Sequence, residues 1–566
     1  MINRRKGSII AVFSTMILAG CTGNNSVPAD TSMQEYSVMN ADRTITIDVS
    51  DHQVFNDTDG DGYGEFEGWG TSLCWWANRV GYSDELTFQA AEAFFDKEKG
   101  LGLNIGRYNI GGGDNVTDQP LTDDSSDFLH ASHIKRSDSI VPGYAKDVTR
   151  IDLSMNSKEY YEQNFERSDY ECGYAWNYDW DADRNQVNVL RRAAEHSGAE
   201  FICEAFSNSP PYFMTVSGCS SGNAKAAVDN LRDDSYHAFA CYMADVIEHF
   251  YVEGVVKIQS ISPMNEPATN YWSAFSEKQE GCHFSPGQSQ SRIIEELEKE
   301  LKNKGLVLII CGTDETSINT AISSFNKLSD GAKSALSRID THAYQGNKRE
   351  KLKETALKAG KNLWMSEVDN TYSLGEESGA MEAALGFADE IIKDMNGMYP
   401  TAWIMWNAAD MHIDSENEFD TLTRAEADRI LSAGEPFWGI AIADHDADEL
   451  LVGKKYYGFG QFTRYIRPGY CIVRSGTNTL AAYNPKNGEY TVVALNADAD
   501  DQIWEFDFST LERKISSITA IRTSGDMGSG ENWCDVTESD NIKISGSSFT
   551  ASVKGYSITT YLIKPE

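Results

Sequence analysis

Ile258-Gln259-Ser260-Ile261-Ser262-Pro263-Met264-Asn265-Glu266-Pro267 reads as a buried strand that ends in a polar tip. Ile258 and Ile261 are apolar and β-branched, and Pro263 and Pro267 punctuate the end. The tip sets Asn265 beside Glu266. A carboxyl group where a strand gives way to a loop is placed for chemistry more often than for stability. A second tip of the same kind is Leu363–Asp369 (L-W-M-S-E-V-D), which carries Glu367.

Outward from these two tips the pattern repeats. Apolar runs occur at Gly68–Trp76, Leu103–Ile110, Glu200–Phe206, Val255–Ser262, Leu306–Cys311, Ile339–Tyr344, Leu363–Val368 and Ala402–Trp406. Helical spacing fills the gaps, as in Asp84–Glu98, Gln186–His196, Ser235–Tyr251, Ser289–Lys304, Leu352–Ala359 and Met381–Lys393. Eight buried strands alternating with helices are the pattern of a (β/α)8 TIM barrel. An open doubly wound sheet is the structural rival. It usually has fewer strands and a glycine-rich phosphate turn, and Gly111-Gly112-Gly113 lacks that spacing.

From about residue 456 the texture turns all-β, with strands expected at Thr479–Tyr483, Tyr490–Asn496, Ile503–Phe508, Ile515–Arg522, Asn541–Ser545 and Ser557–Ile563. Pro485-Lys486-Asn487-Gly488 reads as a hairpin turn. This is the spacing of a β-sandwich. Thr44–Val49 (T-I-T-I-D-V) alternates like a half-buried strand and is expected to join it. The expected organisation is a leader over 1–20, a flexible tether over 21–41, a sandwich strand within 42–56, the barrel over 57–455 and the sandwich over 456–566. The fold class is α/β: a TIM barrel with an attached side β-sandwich.

Composition narrows the partners. A chain of 566 residues exceeds the roughly 150 expected of one domain, and the 41% hydrophobic content supports a sizeable core. With 49 basic against 86 acidic residues the net charge is −37, which argues against nucleic acid or an anionic membrane as the main partner. Arg4, Arg5 and Lys6 followed by the short apolar run Ile9–Leu18 form a targeting segment too short to span a bilayer. Leu18-Ala19-Gly20-Cys21 resembles the bacterial lipoprotein cleavage box, in which the cysteine is lipidated. That implies a chain anchored to the membrane by lipid at Cys21 on the extracellular face of a bacterial cell, or otherwise secreted. Ten cysteines less Cys21 leave an odd number, and no Cys-x-x-Cys pair occurs, so neither a disulfide scaffold nor a zinc ribbon is indicated.

A barrel of this kind carries its active site at the C-terminal ends of its strands. Those ends offer Trp75 and Trp76, Arg107 and Asn109, Asn208 and Ser209, Asn265 and Glu266, Asp314, His342 and Tyr344, Glu367, and Trp406 and Asn407. This is a polar ring with aromatic walls and two glutamates on different strands. Glycosidic hydrolysis needs two carboxyl groups, because the leaving oxygen is protonated while the other face of the anomeric carbon is attacked. Each residue also has a structural reading: a strand-end glutamate can cap a helix or pair with arginine, His342 can be a hydrogen-bonded structural histidine, and Arg107 can tie a loop. Two glutamates on two strand tips weigh against that reading. Clustered histidine ligands, as a metal hydrolase needs, do not occur at the strand ends.

The motifs themselves resemble glycoside hydrolase family 30, in the retaining clan on (β/α)8 barrels. They are S-P-M-N-E-P at Ser262–Pro267, G-W-G-T-S-L-C-W-W-A at Gly68–Ala77, L-G-L-N-I-G-R-Y-N-I-G-G-G-D-N at Leu101–Asn115, A-F-S-N-S-P-P-Y-F-M at Ala205–Met214 and Q-F-T-R-Y-I-R-P-G at Gln461–Gly469. The paired Trp75-Trp76 and the stretch Trp176–Gln186 resemble the branch acting on β-1,6-galactan. The resemblance implies Glu266 as acid/base, starting protonated, and Glu367 as nucleophile, with no cofactor for catalysis. It implies that Asn265 reads the sugar 2-hydroxyl, that Arg107 and Tyr344 hold the nucleophile, and that Trp406 forms a stacking floor. Asn208, Trp75, Trp76 and Trp176 are further substrate contacts on the same ground. The sequence departs from the family's pattern at Phe213, where related chains often carry tryptophan.

The activity so implied is retaining hydrolysis of a neutral β-linked plant polysaccharide by a monomer, foremost endo-β-1,6-galactanase action on arabinogalactan side chains. The alternatives are another family 30 activity (xylanase, β-glucosidase or exo-β-1,6-galactobiohydrolase) and a non-catalytic glycan-binding surface lipoprotein. One stretch lies outside this pattern. Asp57–Gly68 (D-T-D-G-D-G-Y-G-E-F-E-G) places Asp57, Asp59, Asp61 and Glu65 as in a structural calcium loop, without the bidentate glutamate at its twelfth position.

Overall fold

The computed structural model describes residues 41–113, 139, 141–146, 177–274, 276, 278–416, 421–510 and 513–566. The leader with Cys21, most of the tether, and Trp176 lie outside the described residues. The chain enters through β1 (Arg43–Thr46) and β2 (Asp48–His52). The barrel then begins with β3 (Gly68–Ser72) and β4 (Ile105–Asn109), and a small antiparallel pair follows, β5 (Ala145–Lys146) with β6 (Asn177–Tyr178). The remaining barrel strands are β7 (Ile202–Phe206), β8 (Ile258–Ser262), β9 (Ile309–Ser317), β10 (Arg338–Gln345), β11 (Asn362–Val368) and β12 (Ala402–Met405).

These eight parallel strands close on themselves, with Ala402 of β12 opposite Gly68 of β3. They coincide with the eight apolar runs, because strands buried on both faces carry near-continuous hydrophobic sequence. Some intervening helices, such as Tyr236–Val252, are buried over most of their surface, and others along one stripe. Helix Gln288–Lys304 turns Ile293, Ile294, Leu297 and Leu301 inward and stops at Gly305, whose φ of +69° closes the last turn. Helix Ile318–Lys327, after β9, stands where no helix is expected from the sequence.

After β12 comes a small four-stranded sheet of β13 (Met411–Ile413), β14 (Thr421–Leu422), β15 (Ala441–Asp444) and β16 (Glu449–Val452). Helix Lys454–Thr463 follows, where the all-β texture is expected to begin. Its Tyr456, Phe459 and Phe462 repeat every three residues, a helical spacing that packs into the barrel-side core.

The β-rich part holds β17 (Cys471–Arg474), β18 (Thr479–Asn484), β19 (Glu489–Asn496), β20 (Gln502–Asp507), β21 (Ile515–Ser524), β22 (Glu531–Asp535), β23 (Lys543–Ser545), β24 (Ser548–Val553) and β25 (Ser557–Pro565). It forms a four-stranded sheet, β1-β20-β24-β23, and a seven-stranded sheet, β2-β17-β18-β19-β25-β21-β22. Ile45, Ile47, Trp504, Phe506, Phe549 and Tyr561 share a core of their own. The single strand expected at Thr44–Val49 is in fact two: β1 pairs with β20 and β2 with β17, so this short segment serves both sheets.

Candidate active site

Four barrel strands converge on one guanidinium. Arg107, at the end region of β4, is fully buried. Its Nη1 donates to Glu367 Oε2 at 2.5 Å, its Nη2 to Asp314 Oδ2 at 2.5 Å and to Asn265 Oδ1 at 3.3 Å, and its Nε to Glu204 Oε1 at 3.2 Å. The guanidinium plane lies 3.8 Å from the centre of the Phe206 ring. Burial opposes its charge, but Asp314, Glu367 and Glu204 outweigh burial and hold the proton more tightly than usual.

Glu367, at the end of β11, is 4% exposed. Its second oxygen, Oε1, accepts from the Tyr344 hydroxyl at 3.1 Å. Burial pushes its carboxyl up, against the pull of His342 and Arg107. Glu266, just past β8, is 6% exposed. Its Oε1 lies 3.1 Å from His342 Nδ1, and its Oε2 accepts from the Tyr271 hydroxyl. The same Nδ1 is 3.4 Å from Glu367 Oε1, so one imidazole bridges the two glutamates. One carboxylate oxygen from each and a ring nitrogen of His342 lie within 4.8 Å of one another.

His342 Nε2 faces Asp314 Oδ1 at 3.2 Å. Burial disfavours the imidazolium, yet Glu367 and Asp314 more than offset it and raise its pKa to about 10, so the ring is charged at neutral pH. Asp314 is affected in the opposite sense. Burial raises it, but Arg107 and His342 prevail and hold it well below the carboxylate range.

The backbone is strained where these groups meet. Glu266 has φ +47° and Asp314 φ +57°, left-handed values that cost side-chain-bearing residues on the order of 1–3 kcal/mol. Glu266 also precedes Pro267, which ordinarily steers its neighbour to extended backbone. The Glu266 N–H donates to the Asp314 carbonyl at 2.8 Å, so the two strained residues hold each other.

Below the tips the charged network continues. Arg338 donates through Nε to Asp340 Oδ1 at 2.6 Å and through Nη2 to Glu204 Oε2, and Ser260 Oγ donates to the same oxygen at 2.9 Å. Burial, only partly countered by Arg338, pushes Asp340 up to about 7. Sequence reasoning missed Glu204, Arg338 and Asp340. The available signal was the period-two spacing of Arg338, Asp340, His342 and Tyr344 along β10, which sends all four to one face.

Asn265 and Tyr344 sit at the centre as expected. Asn208 lies beside it at 2% exposure, its N–H 3.4 Å from Asn109 Oδ1 and its Nδ2 3.7 Å from Cys74 Sγ. Trp75 and Trp406 pack edge to face at 5.1 Å with Cys74, Val141 and Phe206, and Trp438 leans on the group. Trp438, half-buried and 6.1 Å from the Tyr344 ring, is a further residue that sequence reasoning missed.

Trp76 is a correction. It is fully buried, donates Nε1 to the Ser72 carbonyl at 2.8 Å and meets Phe94 edge-on at 5.5 Å, so it belongs to the core between barrel and helices and offers no surface to a substrate. Phe213 is likewise fully buried. In the acidic loop, carboxylate oxygens of Asp57, Asp59 and Asp61 lie within 4.8 Å of one another, exposed, while Glu65 stands outside this group.

A closed barrel that brings two strand-tip glutamates onto one charged centre is the architecture of a glycoside hydrolase. The O-Glycosyl hydrolase family 30 model matches residues 157–343. Over 535 residues, 92% of this chain and 94% of the relative, the sequence is 30% identical to an endo-β-1,6-galactanase of Hypocrea rufa. The chain belongs to glycoside hydrolase family 30. It is also 24% identical over 547 residues, 78% of this chain and 34% of the relative, to an exo-β-1,6-galactobiohydrolase of Bifidobacterium longum subsp. longum. The catalytic domain of a family 30 xylanase C from Talaromyces cellulolyticus superposes with a TM-score of 0.62 at 17% identity, covering 92% of this chain and 100% of that one, a likeness of fold.

Proposed function

We propose that this glycoside hydrolase cleaves β-1,6-linked galactan within the chain, with retention, using Glu367 as nucleophile and Glu266 as acid/base. The observation that carries the mechanism is that one carboxylate oxygen of Glu266 and one of Glu367 lie within 4.8 Å of each other. Retaining enzymes hold their carboxyl groups roughly 5–5.5 Å apart, whereas inverting enzymes leave about 6.5–9.5 Å for a water. The substrate rests on the 30% identity to an endo-β-1,6-galactanase along 92% of the chain.

Glu367 has a cation on one oxygen and a phenol on the other, which suits it to be the ionised partner. In the first step a Glu367 oxygen bonds to the anomeric carbon, the bond to the leaving oxygen breaks, and Glu266 gives that oxygen a proton. In the second step water attacks the same carbon, returns a proton to Glu266 and frees Glu367. Asn265, its Oδ1 held by Arg107, turns its Nδ2 to the sugar 2-hydroxyl.

A hydrolysis panel of β-1,6-galactan, β-1,3-galactan, xylan and β-1,6-glucan with product sizing tests the substrate. Oligomers of mixed length from β-1,6-galactan are expected, and disaccharide alone would favour the exo reading that the second relative suggests. Glu367→Ala should abolish turnover and recover activity with azide, giving the opposite anomer. An inverted product from the wild type refutes the mechanism.

A further inference from the structure

Both oxygens of Glu266 already have a donor, and the two donors differ in kind. On Oε1 stands His342 Nδ1, 3.1 Å away. That ring is flanked by Asp314 on its other nitrogen and by Glu367, and a charged imidazole can only donate. An acid proton on Oε1 would therefore point at another proton. On Oε2 stands the Tyr271 hydroxyl, which can donate or accept.

The loop that carries Tyr271 folds back onto its own starting point. Thr269 Oγ1 donates to the Glu266 carbonyl at 2.9 Å and Trp272 Nε1 to the same oxygen at 3.1 Å. Trp272 is 3% exposed and anchors the loop, while Tyr271 is 48% exposed. The oxygen held by Tyr271 thus faces a half-exposed side chain, whereas Oε1 faces the fully buried His342. The other titratable groups facing Glu266 are Glu367 on β11, His342 and Tyr344 on β10, and Asp314 and Glu315 on β9. None of these donates to Oε2 among the described residues.

We infer that Tyr271 is a positioning residue that assigns the acid proton to Oε2 of Glu266. The inference rests on the reading of Glu266 as the acid/base. With Glu266 ionised, the phenol donates to Oε2. With Glu266 protonated, Oε2–H points outward, to the phenol oxygen or to the glycosidic oxygen that displaces it. When the glycosidic bond breaks, the proton passes from Oε2 to the leaving oxygen and the phenol turns back to donate to the carboxylate. The phenol keeps its own proton throughout, and Thr316 Oγ1, 3.2 Å from it, gives the hydroxyl a second partner while Oε2 is engaged elsewhere.

Tyr271→Phe tests this, because it keeps the half-exposed ring and removes one oxygen. The substrates are aryl β-galactobiosides with leaving groups from 2,4-dinitrophenol to phenol, compared for wild type, Tyr271→Phe and Glu266→Ala. Loss of acid positioning should lower kcat/KM on the order of tenfold for the phenyl substrate and about twofold or less for the dinitrophenyl one, which departs without a proton. Equal losses across leaving groups, or no change at all, overturn the inference. If Glu266→Ala shows no leaving-group dependence, or the wild type cleaves none of these substrates, the failure lies in the reading beneath it.

Discussion

His342 makes the most quantitative claim on this site. A fully buried imidazole is expected to be neutral. Here it sits between three carboxyl groups, 3.1 Å from Glu266, 3.2 Å from Asp314 and 3.4 Å from Glu367. Its pKa rises from 6.5 to about 10. At about 1.4 kcal/mol for each tenfold change in proton affinity, that rise is worth up to about 5 kcal/mol of folding free energy. The same attraction depresses Asp314, so it is counted once. A group whose pKa is raised on folding stabilises fully below its unfolded value and loses that contribution as pH climbs through its folded value. The stabilisation by His342 is therefore complete below about pH 6.5 and gone above about pH 10. His342→Gln keeps much of the volume and one donor but no charge. Urea unfolding of both proteins from pH 5.5 to 10.5 should show a gap of roughly 3–5 kcal/mol at the acid end that closes at the alkaline end. Tyrosines, cysteines and lysines titrate in both proteins and cancel in the difference. A gap that stays constant with pH would mean that His342 is neutral in the folded protein, and the charge assignment at this centre would be wrong.

Two aromatic substitutions should separate core from site. Trp76→Ala is expected to cost about 3–5 kcal/mol, visible as a lowered urea midpoint, with KM unchanged within about twofold. Trp438→Ala should do the reverse, raising KM for β-1,6-galactan with little effect on the midpoint, and a midpoint loss as large as that of Trp76→Ala would place it in the core. The acidic loop offers a metal-removal test. If Asp57, Asp59 and Asp61 hold calcium, saturating the ion about 100-fold above its Kd adds about 2.7 kcal/mol. Chelator should then lower the Tm of the wild type and leave Asp59→Asn unmoved, whereas an unchanged wild-type Tm identifies the loop as an acidic turn.

How much of this was legible in the sequence depends on what each feature needs. The barrel was readable because each of its strands is buried on both faces, and Ile258–Ser262 or Asn362–Val368 can be recognised without knowing its neighbours. The two glutamates were readable because they end such strands. Helix Lys454–Thr463 was not, since its aromatic and glycine-rich composition suits a strand and masks the three-residue spacing of Tyr456, Phe459 and Phe462 that packs into the barrel-side core. Trp76 was misplaced because it opens helix Trp76–Val80 past the strand: Trp75, at the N-cap, meets Trp406 at the tips while Trp76 turns to Phe94. Tyr271 was invisible because a loop residue has no periodicity, and its bond to Glu266 exists only once the loop has folded back.

The centre also has a charge balance that no single strand reveals. Glu266, Glu367, Asp314, Glu204 and Asp340 meet Arg107, Arg338 and His342 in one connected, buried network. Five carboxylates against three cations would leave an excess of two negative charges at a largely buried centre, which is costly in a protein interior. Retained protons relieve it. Burial pushes Asp340 up to about 7, which is the direction that relieves it. The cations at Arg107 and His342 hold Asp314 ionised, so the relief falls on carboxyl groups that burial raises, such as Asp340.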